Sequence, residues 1–70
     1  SKAVTSPMPG TILEVKVNAG QTVKRGETMF ILEAMKMENE IPAPEDGVVA
    51  SVDTTKGASV ATGAVLATLK

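Results

Sequence analysis

The side chain best suited to chemistry in this chain is Lys36, which lies between Met35 and Met37. Lysine offers a primary amine on a flexible four-carbon stem, and a partner enzyme can acylate such an amine. The alternative interpretation is an ordinary solvated lysine between two methionines of the core. The unique place of Lys36 in the chain, described below, favours the acylation hypothesis.

Acidic residues surround this lysine in the sequence. Five of the eight Asp and Glu residues fall within fourteen positions, and Lys36 is the only base among them: Glu33, Glu38, Glu40, Glu45 and Asp46. Nearby carboxylates favour the ammonium form, whereas catalytic lysines are neutralised by burial or by cationic neighbours. We therefore expect a modification site that an external catalyst must deprotonate. The acids themselves are either a solvated face that discourages strand-edge aggregation or a surface that steers a partner.

The composition argues against several other classes of function. The chain has no cysteine and no histidine, so it lacks a thiol nucleophile, an imidazole base and soft metal ligands, and we expect no metal site and no autonomous enzyme. A net charge of −1 and a single aromatic residue, Phe30, give no basic stacking surface for nucleic acid. The longest apolar run, Met29–Leu32, is too short to cross a bilayer, so the sequence predicts a cytoplasmic domain without membrane insertion, either free or at the periphery of a membrane complex.

The 70 residues predict one domain with an internal repeat. An offset of 37 positions pairs all six glycines without a gap: Gly10 with Gly47, Gly20 with Gly57, and Gly26 with Gly63. Residues 1–33 thus correspond to 38–70, and only residues 34–37 remain unpaired between the halves. If the halves pack about a pseudo-twofold axis, this connection and the chain termini should lie at opposite ends of the domain.

Each half is rich in Val, Ile, Leu and Thr, interrupted by Gly and Pro, which is typical of short strands and turns. The pattern predicts eight strands at about 2–6, 11–17, 21–24, 28–34, 37–42, 48–54, 58–61 and 64–69. Eight such strands indicate an all-β fold, a flattened β-barrel or sandwich, which limits exposed edges.

The segment from Glu27 to Glu40 conflicts with this pattern, because it is full of good helix formers. The repeat favours a strand instead, since residues 28–32 align with the strand-like run 65–69. Met35 and Lys36 then occupy the tip of a hairpin, where a tight turn normally prefers Asn-Gly or Asp-Gly. Departures from local sequence rules are frequent at functional sites, so the unusual turn supports a functional role for Lys36.

The motif Glu33-Ala34-Met35-Lys36-Met37-Glu38 resembles the attachment site of biotinyl domains, also called biotin carboxyl carrier domains. The resemblance covers essentially the whole chain, including Pro7-Met8-Pro9-Gly10 and Pro42-Ala43-Pro44 followed by Gly47. It implies a barrel-sandwich hybrid of two four-stranded antiparallel sheets. It also implies that biotin is joined to Lys36 by a biotin protein ligase, with Ala34, Met35 and Met37 contributing to recognition.

The resemblance further implies a carrier domain rather than an enzyme. Its partners would be a biotin carboxylase or decarboxylase subunit and a carboxyltransferase subunit, between which the domain moves a carboxyl group on biotin. The gapless repeat leaves no room for the protruding thumb of many bacterial acetyl-CoA carboxylase carriers. The thumbless type occurs in acyl-CoA and pyruvate carboxylases, transcarboxylase and sodium-pumping decarboxylases, and the sequence does not choose among them.

Two alternatives belong to other classes. Lipoyl domains share the duplicated β architecture and modify a tip lysine, but that lysine usually follows Asp and precedes Ala, whereas Met35 and Met37 flank Lys36 here. An unmodified barrel could also serve as an adaptor or structural module.

Overall fold

The computed structural model describes residues 2–70. Within this range the secondary structure consists of strands and turns, with no helix. Eight strands follow one another along the chain: β1 (Lys2–Thr5), β2 (Gly10–Val15), β3 (Thr22–Val23), β4 (Thr28–Ala34), β5 (Met37–Pro42), β6 (Gly47–Val52), β7 (Ser59–Val60) and β8 (Val65–Leu69). The strand interpretation of residues 28–42 is therefore correct, and their helix propensity is overridden.

The strands form two four-stranded antiparallel sheets, which confirms the predicted fold class. One sheet has the order β1-β8-β6-β3 and the other β5-β4-β2-β7. Each sheet takes two strands from each half of the chain, and in each sheet the shortest strand pairs with a strand of the other half, β3 with β6 and β7 with β2. This exchange joins the two halves into a single body.

The pairing register repeats with the offset of 37 residues. Ile12 pairs with Leu32, and the corresponding Val49 pairs with Leu69; an irregularity follows Ile12 in one case and Val49 in the other. Corresponding turns agree as well, with φ of 92° at Gly20 and 90° at Gly57. A glycine suits these turns because a left-handed φ is costly for residues with a Cβ. The two halves thus have the same backbone plan.

The core explains why residues 28–34 form a strand. Strand β4 lies between β5 and β2, and Met29, Phe30 and Leu32 on it are fully buried. Consecutive side chains of a strand point to opposite faces of the sheet, so β4 buries apolar side chains on both faces. A central strand of a sandwich can do this. Because burial is worth more than the small differences in helix propensity, the tertiary structure decides the conformation.

All the predicted strands except β4 and β5 are longer than those observed, and β2 and β6 each end two residues earlier than expected. Strand β2 was expected over 11–17 and β6 over 48–54, but they end at Val15 and Val52. The backbone continues to bond beyond each end, since the Lys16 N–H donates to the Met29 carbonyl at 2.8 Å and the Asp53 N–H to that of Leu66 at 2.8 Å. The chain then turns towards the other sheet, which shortens both strands. Within residues 2–70 no helix has the length and hydropathy needed to cross a membrane.

Candidate functional site

The β4–β5 hairpin presents Met35 and Lys36 at its tip, as predicted from the sequence. The pairing of the two strands runs to Ala34 opposite Met37, which leaves a two-residue loop. Both loop residues have a positive φ, 54° at Met35 and 63° at Lys36. A type I′ turn requires this conformation at its two central residues, and Asn and Gly are its usual occupants. Met35 and Lys36 therefore hold a strained backbone that their residue types do not favour.

The base of the hairpin supplies the order that this turn needs. Ala34 is buried, and Leu32 on the same strand is fully buried. The Asn39 side-chain amide donates to the Met37 carbonyl at 3.2 Å and lies 3.4 Å from the Leu32 carbonyl. A strained conformation persists only where its surroundings determine it, and here the paired strands beneath the loop do so.

The Lys36 side chain is exposed, and it takes part in no ion pair within the described part of the chain. Three surface grooves, one of about 370 Å³ between β1 and β5, lie elsewhere, and none is lined by any of residues 34–37. An amine on a projecting turn without a surrounding pocket is open to an approaching protein.

The two methionines beside Lys36 are exposed, Met35 by 84% and Met37 by 63%. Met29 is fully buried and Met8 packs partly against the core, so only the flanking pair behaves differently. The alternative interpretation of Met35 and Met37 as core residues is therefore wrong. Together with Lys36 they form an apolar, flexible surface around one amine, a type of surface that adapts to a binding partner.

The structure separates the acidic residues into two groups. Glu33 and Glu38 face each other across the hairpin, and Glu40 accepts a hydrogen bond from the Thr28 hydroxyl at 2.8 Å. Glu45 instead pairs with Lys2 at 3.7 Å, and Asp46 accepts from the Arg25 N–H at 2.8 Å. The first group lies on the strands that carry Lys36, whereas Glu45 and Asp46 have partners on distant parts of the chain.

Sequence reasoning missed the contribution of Asn39. At an offset of 37 this residue corresponds to Lys2, but most polar positions differ between the halves, so no signal in the sequence singles out Asn39. Its side-chain amide has two N–H donors and can bond two backbone carbonyls at the hairpin base, those of Leu32 and Met37.

Comparison with known proteins identifies a matching family and several relatives. A family described as "Biotin-requiring enzyme" matches residues 2–69. The gamma subunit of methylmalonyl-CoA decarboxylase from Veillonella parvula is 65% identical over 49 residues, covering 70% of this chain and 38% of the relative. The biotin carboxyl carrier protein of Streptococcus mutans is 46% identical over 69 residues, covering 99% of this chain and 53% of the relative. The chain thus spans about half or less of the length of these curated relatives.

The fold also resembles solved structures. The lipoyl domain of the 2-oxoglutarate dehydrogenase complex from Azotobacter vinelandii matches with a TM-score of 0.83 and 28% identity, covering all of this chain and 96% of that domain. A domain that carries a different group by name therefore has the same architecture. The overall shape alone does not distinguish the two types of carrier.

Proposed function

The chain belongs to the biotin-requiring enzyme family, and from this membership we propose that it carries biotin in amide linkage to the Nζ atom of Lys36. It is a biotinyl carrier domain rather than an enzyme. Residues 1–70 form this single domain, with half-repeats 1–33 and 38–70 joined by residues 34–37. The observation that carries the assignment to Lys36 is its exposed amine on a strained, projecting turn.

The residues at the tip suit this attachment. Biotin bears a carboxyl group, which must be activated before an amine can form an amide with it. A biotin protein ligase would supply the carboxyl group already activated, together with a base. The base would take a proton from Lys36, the amine would form the C–N bond, and the activating group would leave the carboxyl carbon. Since the amine stands free of ion pairs within residues 2–70, no salt bridge has to break first.

Met35 and Met37 provide the surface that the ligase recognises. Their exposed thioether side chains flank the amine and can adapt to an apolar cleft. Ala34 has a different part in recognition, because its side chain is buried and cannot be touched while the hairpin is intact. Ala34 contributes by packing the base of the hairpin, and its small size permits that packing.

When bound, biotin supplies a ureido nitrogen that can carry a carboxyl group. The lysine stem and the biotin tail contain about ten single bonds of roughly 1.5 Å, a reach on the order of a dozen Å. The domain itself measures 31 × 18 × 17 Å. The arm can enter one active site but cannot bridge two separated ones, so the whole domain must move between them. Covalent attachment keeps the effective concentration of biotin high at each active site that the domain visits.

The partners are a ligase, a biotin carboxylase or decarboxylase subunit, and a carboxyltransferase subunit. Two relatives bear the names of a decarboxylase gamma subunit and a biotin carboxyl carrier protein, which supports a place in a complex of this kind. We place the domain in the cytoplasm, where it would meet these partners. Nucleic acid is not among the partners, because a net charge of −1 gives no attraction to phosphates.

A lipoyl carrier is the second candidate, and the shared fold favours it. The flanking methionines and the relatives named for biotin favour biotin instead. One experiment decides: the purified domain is incubated with ATP and either biotin and a biotin ligase or lipoate and a lipoate ligase. We expect labelling by biotin alone, its loss in Lys36→Ala, and its retention in the control Lys56→Ala. Labelling by lipoate, or labelling of Lys36→Ala, would overturn the proposal.

A further inference from the structure

Gly10 lies close to the backbone of the hairpin that carries Lys36, closer than any other glycine of the described residues. It begins strand β2, next to residues 32–34 of β4. A Cβ atom added to Gly10 would overlap the Glu33 carbonyl oxygen, and it would lie 3.0 Å from Leu32 Cδ1 and 3.2 Å from Ala34 Cβ. Because the first of these atoms belongs to the backbone, a side chain at position 10 cannot be accommodated by a change of rotamer. Strand β4 itself would have to move.

The symmetry of the fold provides an internal comparison. Gly47 occupies the equivalent position in the second half, at the start of β6. A Cβ there would lie 3.5 Å from the Lys70 carbonyl oxygen and 3.6 Å from Leu69 Cβ, which are ordinary van der Waals distances. Neither glycine has a positive φ. Of these two equivalent positions, only position 10 therefore requires glycine to avoid a steric clash.

The contact lies directly below the strained turn. Glu33 pairs with Glu38 and Ala34 pairs with Met37, and these are the last two pairs before the loop. The positive φ values at Met35 and Lys36 depend on this pairing, because neither residue favours them alone. Displacing Glu33 and Ala34 would loosen the pairs, and the turn would relax into other conformations.

We propose that Gly10 is a positioning residue for the modification of Lys36. Because it has no side chain, β2 can pack directly against β4, and this packing keeps the turn in the conformation that exposes the amine. This proposal rests on the proposed function, since it requires a ligase that recognises the conformation of the turn. It does not require Gly10 to touch the ligase or biotin.

The test compares Gly10→Ala with Gly47→Ala, two equal changes at equivalent positions. The first measurement is kcat/KM for biotin attachment by a biotin ligase. We expect Gly10→Ala to lower it about ten- to a hundredfold, as misplacement of a reacting group by about 1 Å can do. We expect Gly47→Ala to remain within about twofold of wild type. Equal losses in both variants would overturn the proposal.

A second readout separates positioning from general damage. A small acylating reagent, N-hydroxysuccinimidyl acetate, needs only an exposed amine, so Lys36 should react at the same rate in wild type and Gly10→Ala. Amide hydrogen exchange across the β4–β5 pairing should quicken in Gly10→Ala and slow again in Gly10→Ala/Met35→Asn, because asparagine tolerates the left-handed turn. No recovery in the double variant, or global unfolding of Gly10→Ala at 25 °C, would overturn the positioning role.

Failure of this proposal is distinguishable from failure of the proposed function. If wild type is biotinylated on Lys36 and Gly10→Ala is modified equally fast, only the role of Gly10 is wrong. If wild type is not biotinylated by an active ligase, the proposed function is wrong whatever the glycine variants do.

Discussion

The strain at the tip predicts that replacing Met35 with asparagine stabilises the domain. A left-handed φ costs an ordinary residue about 1–2 kcal/mol, and asparagine avoids about 1 kcal/mol of this because its side chain can bond locally. Met35 has φ of 54° and is 84% exposed, so about a sixth of its surface is buried. Losing that burial costs about 0.3 kcal/mol. The net gain is then about 0.7 kcal/mol, or an increase in Tm of about 3–6 °C for a domain of this size.

The assay is thermal unfolding followed by far-UV circular dichroism or calorimetry, since the chain has no Trp or Tyr for fluorescence. The matched control is Met37→Asn, on the neighbouring residue in β5, where φ is not positive. Asparagine is a poor strand former, so this control should lower Tm. An unchanged or lower Tm for Met35→Asn, or an equal increase in both variants, would refute the argument that Met35 is strained. If Met35 contributes to recognition, the same variant is also biotinylated more slowly, so stability and modification change in opposite directions.

Two further predictions concern the core and the charges of the hairpin. Phe30 is fully buried on β4, so Phe30→Ala should remove about 3–5 kcal/mol of the free energy of unfolding, much of what a small domain has. Chemical denaturation followed by circular dichroism measures it, and a midpoint close to that of wild type would show that the core is elsewhere. Glu33 and Glu38 face each other as like charges, so Glu38→Lys should raise the free energy of unfolding by up to about 1 kcal/mol at low salt. This increase in the free energy of unfolding should fall towards zero in about 1 M NaCl. An increase that does not depend on salt concentration would contradict an electrostatic origin.

The repeat accounts for what the sequence could predict. Equivalent glycines and apolar residues at an offset of 37 imply equivalent backbone, so the strand assignment of residues 28–34 follows from the run at 65–69 despite strong helix formers. The same logic isolates residues 34–37 as the one connection without a counterpart. The tip lysine and the fold class were therefore accessible before any coordinates.

Contacts between distant residues were not accessible in the same way. Gly10 and Gly47 are identical residues in equivalent positions, yet an added Cβ would overlap backbone only at Gly10, so no sequence pattern distinguishes the two sites. The exposure of Met35 and Met37, compared with the burial of Met29, depends on where the chain leaves the sheet. Strands β2 and β6 end earlier than expected because the chain crosses between sheets, a property of the packed structure.

Site mapping by tandem mass spectrometry tests the central claim most directly. The wild-type domain is labelled to completion by a biotin ligase with ATP and biotin, and each of its six lysines is examined for a biotinyl group. The account predicts one biotinyl group per chain, on Lys36. A biotinyl group on another lysine, or an unmodified chain in the presence of a ligase that labels a control substrate, would contradict it.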